Sequence, residues 1–263
     1  FSAGMNTGIR EALTRGADRV LLVNSDVIVP PDCADRLERC LDATPAAGIA
    51  APVIRSRSEP DVIASRGISY RVSTGRMRHR NIGPSAVYRF FRSGRLEPAV
   101  ARPPEDGRYI GSENALESGD GDRIVDAVSG CVMLVDRAVF EAIGLFDPDY
   151  FFSFEDLDFC LKARAAGFAT ILAGSAVAYH EGGQSIGSKS PRRLYFATRG
   201  HLLLARRLNP AAGPLSVWPR AMSIVALNLA HAIVSPGGTP VARVAAVVRG
   251  TRDYVTGRFG ADD

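Results

Sequence analysis

Between Asn6 and Arg55 two amphipathic stretches alternate with short apolar runs, and this restricts the fold more than any other feature. "RVLLV", from Arg19 to Val23, is a continuous run of strand formers, the pattern expected of a buried parallel strand. It ends in Asn24-Ser25-Asp26. "VIVPPD" reads as a second short strand closed by two prolines. "PDCADRLERCLDA" reads as a helix with proline at its start and Leu37, Cys40 and Leu41 on one face. "GIAAPVI" is the next strand. Upstream, "NTGIREALTRGA" reads as a short helix that Thr7 can cap, with Ile9, Ala12 and Leu13 inward and Gly16 as its stop. Such alternation is the α/β pattern. At 263 residues and 46% hydrophobic, the chain can form one large α/β domain or two small ones with a real core.

Downstream the organisation changes. Residues 55–122 are rich in Arg, Gly, Ser and Pro and read as a loop-rich insert with short β pieces such as "GISYRV" and "AVYRFF". Order returns with "RIVDAVSGCVMLVDRAVFEAIGLFDPDYFF", read as strand, Ser-Gly turn, strand, short helix from Arg137, a stop at Gly144 and an Asp-Pro turn. "EDLDFCLKARAAG" follows as a helix ended by Gly167. "ATILA" and "AVAYH" read as two short strands, and "EGGQSIGSKSP" as a Gly/Ser loop. From Pro191 onward the pattern is helical, near 191–208, 215–234 and 239–255. The expected division is a domain over 1–190 and a helical region over 191–263. The chain also opens on Phe1 in what reads as the middle of a fold, so roughly 50–80 upstream residues are expected, from typical βα unit sizes.

Composition removes several classes. The net charge of +4 and pI near 9.0 suit phosphate-bearing ligands or an anionic membrane face. No Lys/Arg block or aromatic–basic repeat points to nucleic acid. Cys33 and Cys40 would sit roughly 10 Å apart on one helix, too far for a disulfide, so buried free thiols in a reducing, cytoplasmic setting are expected. The four histidines lack zinc spacing. No apolar run of ~18–20 residues is apparent, so "AMSIVALNLAHAIV" is read as too short to span a bilayer. It would lie on the membrane face as a peripheral contact, or serve as ordinary packing or a homodimer seam.

Three places carry candidate chemistry. Asn24-Ser25-Asp26 closes a strand, where open α/β sheets bind ligands. One Asp there can hold a hard divalent cation while phosphate oxygens and waters complete its shell; a turn Asp bonded to its own backbone is the plain alternative. His180 ends a strand ahead of the Gly/Ser loop, with Lys189, Arg192 and Arg193 just beyond. It reads as a metal ligand or as a surface histidine. "YFFSFEDLDFC" sets four aromatics against Glu155, Asp156 and Asp158. Acids in a first helical turn offset the dipole, which accounts for one or two of them. Taken together, Asp26 and His180 would hold Mg²⁺ or Mn²⁺ on a diphosphate, and one carboxylate would deprotonate an incoming hydroxyl.

These segments resemble the bacterial rhamnosyltransferase-like group of family 2 glycosyltransferases. "FSAGMNTGI" is similar to that group's "FAxGxNxGI", and "LLVNSDVIVPPDCADRL" to its "LLNPDVxVxPxxLxxL". "SGCVMLVDRAVFEAIGLFDPDYFFSFEDLDFCLKARAAG" resembles its acceptor-side block, "AYHEGGQS" its histidine motif, and "VVRGTRDYVTGRFG" its ending. The resemblance implies a Rossmann-like GT-A fold with a mostly parallel sheet and C-terminal helices. It implies an inverting displacement using a nucleotide-sugar donor such as dTDP-L-rhamnose, with a cell-envelope glycan or polyprenyl-diphosphate-linked sugar as acceptor. By motif position Asp156 is the base, supported by Glu155, and Asp26 and His180 hold the metal. Asn6, Asn24, Asp26, Lys189 and Arg192 would bind the donor, and Phe152, Phe154 and Asp158 the acceptor. The sequence departs from the pattern at Asn24, which replaces an acid, and at Tyr254, which replaces a Gly. The two rival readings are a non-catalytic scaffold of the same fold and a metal-dependent phosphoester hydrolase.

Overall fold

The computed structural model describes residues 2–72, 74–79, 121–180, 190–208, 214–234 and 239–260. In chain order these form α1 (Ser2–Thr14), β1 (Arg19–Val23), β2 (Val27–Ile28), α2 (Cys33–Ala43), β3 (Ala47–Arg55), β4 (Ile63–Ser65), β5 (Ile68–Arg71) and β6 (Arg76–His79). Then come β7 (Arg123–Val125), β8 (Val132–Asp136), α3 (Arg137–Ile143), α4 (Glu155–Ala165), β9 (Ala169–His180), α5 (Pro191–Arg207), α6 (Pro214–Val234) and α7 (Pro240–Val255). Seven strands share one sheet whose main path runs β1-β8-β3-β9-β2, with β4 on β3 and β7 on β9; β5 and β6 form a separate hairpin.

The architecture is α/β, as expected, but the sheet is mixed rather than mostly parallel. β3 and β9 run parallel, whereas the β1–β8, β8–β3, β2–β9, β3–β4 and β7–β9 pairs are antiparallel. β8 re-enters the sheet between β1 and β3 in the opposite sense to both, and the short strands β2, β4 and β7 likewise run against their neighbours. β1 is correspondingly not buried on both faces. Val20 and Leu22 point into the core beside Ile9 of α1, while Leu21 and Val23 stay exposed. That alternation is normal for an antiparallel strand with one covered face.

Two local expectations also change. Thr7 does not cap α1, because the helix starts at Ser2 and the Thr7 hydroxyl donates to the Ala3 carbonyl at 3.1 Å. "ATILA" and "AVAYH" are one twelve-residue strand, β9. Its register against β3 slips between Ala173 and Val177, so the Gly-Ser pair forms a bulge rather than a turn. Of the two short β pieces, "GISYRV" becomes β5, and "AVYRFF" lies outside the described residues.

α2 buries Cys33, Leu37, Cys40 and Leu41 on one sheet face, against Ala50, Ile54 and Ile171. The other face packs α1, α3 and α4 around Phe140, Phe146 and Phe159, and α5 adds Leu203 and Leu204 to that same core. α5 and α7 approach closely at Gly250, where an added Cβ would lie 2.6 Å from the Tyr195 carbonyl. α6 is longer and more apolar than its sequence window suggested. It continues through Pro219, and Val217–Val234 is long and apolar enough, by length and composition, to cross a membrane. All four cysteines are free and buried.

Candidate active site

The site lies at the end of the sheet where β1, β8 and β9 meet the start of α4. The link is the turn before β8. Its Gly130 N–H donates to Asp156 Oδ2 at 3.0 Å, and its Cys131 carbonyl accepts the Asn24 N–H at 2.9 Å. The strand-end motif and the acidic helix are thus held to one turn. A second pairing brings in β9. Val27 is opposite His180, which sets His180 Nε2 3.2 Å from Asp26 Oδ2. Asp26 and His180 are thus paired, and Asn24 and Asp156 are tied to one turn at the same end of the sheet.

Asp156 is firmly held. Besides the Gly130 N–H, its Oδ1 accepts the Leu157 N–H at 2.8 Å. The turn into α4 is strained, with Ser153 at φ 68° and Phe154 at φ 75°, values that non-glycine residues avoid. Packing keeps it there. Gly200 of α5 faces it so closely that a Cβ would lie 3.1 Å from the Ser153 carbonyl and 3.3 Å from the Phe154 ring. His201 then stacks on Phe154, with ring centroids 4.9 Å apart. The His201 ring is itself tied to the Gly75 carbonyl through Nε2. Burial pulls its pKa down to about 4, so the ring is neutral and Nε2 is the donor. No sequence pattern marked His201 or Gly200; they matter only through contacts formed by the fold.

Glu155 has a different character from Asp156. Its Oε2 is buried without a hydrogen-bond partner. Burial, and then the neighbouring Asp156 charge, push its pKa up to about 8. Burial and the adjacent carboxylate thus favour the protonated form of Glu155 at neutral pH.

Several expected contacts are placed elsewhere. Asp158 is buried and pairs with Lys162 at 2.6 Å, within a network that includes Asp147 and Arg207. It faces the interior, not an acceptor, because it falls on the inner side of α4. Phe154 is likewise a core residue, while Phe152 is half-buried near Tyr195 and Phe196 with the Arg193 guanidinium 5.8 Å above its ring. The Asn6 amide is engaged through both its nitrogen and its oxygen. It donates to the Phe146 carbonyl at 2.7 Å and accepts the Phe146 N–H at 3.0 Å, so it clamps α1 to the α3–α4 connection instead of reaching a donor. Arg192 lies at the start of α5, over the Phe196 ring. Lys189 and the rest of the Gly/Ser loop are outside the described residues.

Asp26 and His180 fit a divalent cation as far as two ligands can. Cis ligands of an octahedral Mg²⁺ or Mn²⁺ are about 3 Å apart, given bonds of roughly 2.1 Å. The 3.2 Å separation of Nε2 and Oδ2 is close to that edge. Asn24 also has a buried Oδ1 without a hydrogen-bond partner. No third Asp, Glu, Cys or His joins the pair among the described residues, so a phosphate-bearing ligand and water would have to complete the shell.

A family model described as glycosyltransferase-like family 2 matches residues 1–199. The chain belongs to this family. This glycosyltransferase-like protein is 27% identical, over 174 residues, to the N-acetylglucosaminyl-diphospho-decaprenol L-rhamnosyltransferase of Mycobacterium tuberculosis, in strains CDC 1551 / Oshkosh and ATCC 25618 / H37Rv. The match takes in 65% of this chain and 49% of those proteins, so the chain spans about half the length of the curated relatives it matches. Its fold is similar to that of GalNAc-T7, solved with UDP, GalNAc and Mn²⁺, at a TM-score of 0.50 and 11% identity over 95% of this chain and 42% of that one. The mannosyltransferase PcManGT of Pyrobaculum calidifontis, solved with GDP-Man and Mn²⁺, gives a TM-score of 0.47 and 13% identity over 97% of this chain and 66% of that one. The fold of this family 2 chain is GT-A, with additional C-terminal helices.

Proposed function

We propose that this chain carries the catalytic site of an inverting glycosyltransferase. It would move a sugar, L-rhamnose being the first candidate, from a nucleotide-sugar donor such as dTDP-L-rhamnose to a hydroxyl of a polyprenyl-diphosphate-linked or cell-envelope glycan acceptor at the cytoplasmic face. The observation that carries this reading is the Gly130–Cys131 turn, which holds Asp156 and the Asn24–Asp26 segment to one end of the sheet. The mycobacterial relatives support the choice of sugar and acceptor by their names alone.

Each residue has a task that follows from its placement. Asp26 and His180 would hold Mg²⁺ or Mn²⁺ at the donor diphosphate. The cation supplies positive charge against the charge that develops on the leaving group. Asp156 accepts the proton of the acceptor hydroxyl as its oxygen bonds to the anomeric carbon and the bond to the diphosphate breaks. The two backbone N–H groups aim the Asp156 carboxylate before substrate arrives. Glu155, neutral beside it, avoids a second charge that would hinder the approach of a diphosphate.

The test is a panel of nucleotide sugars, each with Mn²⁺ and with chelator, scored by thermal stabilisation and then by transfer. Stabilisation by one donor that needs the cation, followed by turnover with a lipid-linked acceptor, is expected. Cation-dependent binding with no transfer to any acceptor would favour the scaffold reading instead.

A further inference from the structure

Residues 191–260 contain ten arginines, no lysine and a single acid, Asp253. That acid is used internally, since it is buried, accepts the Tyr195 hydroxyl at 2.8 Å and accepts from the neighbouring Arg252 guanidinium at 3.2 Å. The ionised surface of α5, α6 and α7 is therefore almost entirely cationic, although the chain as a whole carries only +4.

The same helices carry the largest share of exposed apolar surface. Eight of the fourteen exposed large apolar side chains among the described residues are on α6 and α7, so this surface is concentrated rather than scattered. On α6, Trp218 (66% exposed), Met222 and Ile233 (62%) fall one and then three further turns apart, on a single stripe. A neighbouring stripe, Ala221, Ile224 and Val225, packs on Leu202 of α5. On α7, Val241, Val248 and Val255 recur every second turn, with exposed Arg249 and Arg252 beside them. The two helices are joined by the Arg243 guanidinium, which donates to the Ala232 carbonyl at 2.6 Å.

We propose that α6 and α7 form a docking face for an anionic lipid surface. The apolar stripes enter the boundary between headgroups and acyl chains, and arginines including Arg249 and Arg252 engage lipid phosphates. Charge complementarity favours lipid over a second copy of the chain. A two-fold interface sets a patch against itself, so arginines would face arginines with no exposed acid in the region to pair them. Spanning is disfavoured because α6 already uses one side against protein, where Ile224 and Ala232 are fully buried, and carries Arg220 near one end. The inner side of α7 places Ala246 in one cluster with Tyr195, Phe196, Phe151 and Phe152. A lipid surface on the outer side would thus be one helix thickness from the aromatic segment leading to Asp156. That consequence, presentation of a lipid-linked acceptor, rests on the transferase reading; the docking itself does not.

Trp218 is the single tryptophan of the chain, so its fluorescence reports on this face alone. The whole chain is mixed with vesicles of phosphatidylcholine, or of phosphatidylcholine with phosphatidylglycerol, without donor or acceptor. Emission should shift to the blue, and the protein should sediment, with the anionic vesicles at least about tenfold more tightly than with the neutral ones, reversibly at high salt. Met222→Glu with Ile233→Glu should abolish both signals. Arg249→Gln with Arg252→Gln should weaken binding by about tenfold or more and flatten its salt dependence. Melting curves check that each variant is folded. An unshifted Trp218 with both vesicle types overturns the proposal, as does equal binding to both. A dimer in sedimentation equilibrium that Met222→Glu with Ile233→Glu dissociates, with no vesicle binding, assigns the face to a second copy instead. Loss of sugar transfer with vesicle binding intact would count against the transferase reading alone.

Discussion

Asp156 and Asp26 lie at the same end of the sheet, yet the protein holds them in opposite ways. Asp156 has two backbone donors, a strained turn behind it, and Gly200 and His201 closing that turn against the core. Asp26 has one side-chain hydrogen bond, to a histidine that is its own candidate co-ligand, and both lie partly open to solvent. One carboxylate is oriented by packing before substrate arrives. On the proposed function the other would wait on a cation and a diphosphate to complete its surroundings. A group that must take a proton in the transition state benefits when it is already aimed, because misplacement there costs rate directly. A group that binds by charge tolerates looser placement.

That contrast breaks first at Asp156. Asp156→Asn keeps the shape but only one of the two backbone contacts, because its NH2 cannot accept an N–H, and it cannot take a proton, so kcat should fall by ~10²–10⁴-fold. The melting temperature should fall only by what one lost hydrogen bond costs, about 1 kcal/mol of stability. Undiminished turnover would transfer the base role to Glu155.

The next effect is smaller and tests the packing. Gly200→Val adds atoms where even a Cβ would be 3.1 Å from the Ser153 carbonyl. Re-aiming α4 should lower kcat by roughly tenfold and stability by about 1–3 kcal/mol. Nucleotide affinity should hold, since the Asp26–His180 pair is on other strands. Equal kinetics to wild type would mean the turn tolerates displacement.

The smallest effects are on stability against pH. Glu155 is raised to about 8, so the folded state keeps a proton that the unfolded chain releases near the usual carboxylate range. Its contribution therefore declines as pH rises from about 4.5 to 8. His201 acts in the other direction. With its pKa at about 4, the unfolded chain takes up a proton that the folded state refuses, so stability declines as pH falls from about 6.5 toward 4. In denaturation series, Glu155→Gln should flatten the alkaline limb and His201→Gln the acid one. Unchanged limbs would show that these groups are less enclosed than the structure places them.

The residues that converge here were largely legible in the sequence, because strand ends and an acidic helix start are local patterns. Asp26, His180, Glu155 and Asp156 all carried such signals. What the sequence hid depends on contacts between distant segments. Asn6 is 140 residues from Phe146, and nothing local says that its amide is spent there. Asp158 and Phe154 sit beside Glu155 and Asp156, and only helical phase, for Asp158, and the left-handed turn, for Phe154, take them inward. The strand directions were misread for the same reason. A run such as "RVLLV" is compatible with either sense, and β8, which decides it, arrives after a hundred intervening residues.

The proposed function implies a division of labour, in which Asp26 would serve binding and Asp156 chemistry. Calorimetry of a nucleoside diphosphate, with Mn²⁺ and with chelator, on the wild type, Asp26→Ala and Asp156→Asn separates the two roles. Cation-dependent binding with the same Kd is expected in the wild type and in Asp156→Asn. Asp26→Ala should lose at least about tenfold in affinity, comparable to other metal-site lesions. Equal affinity in Asp26→Ala, or an equal loss in Asp156→Asn, would contradict the division.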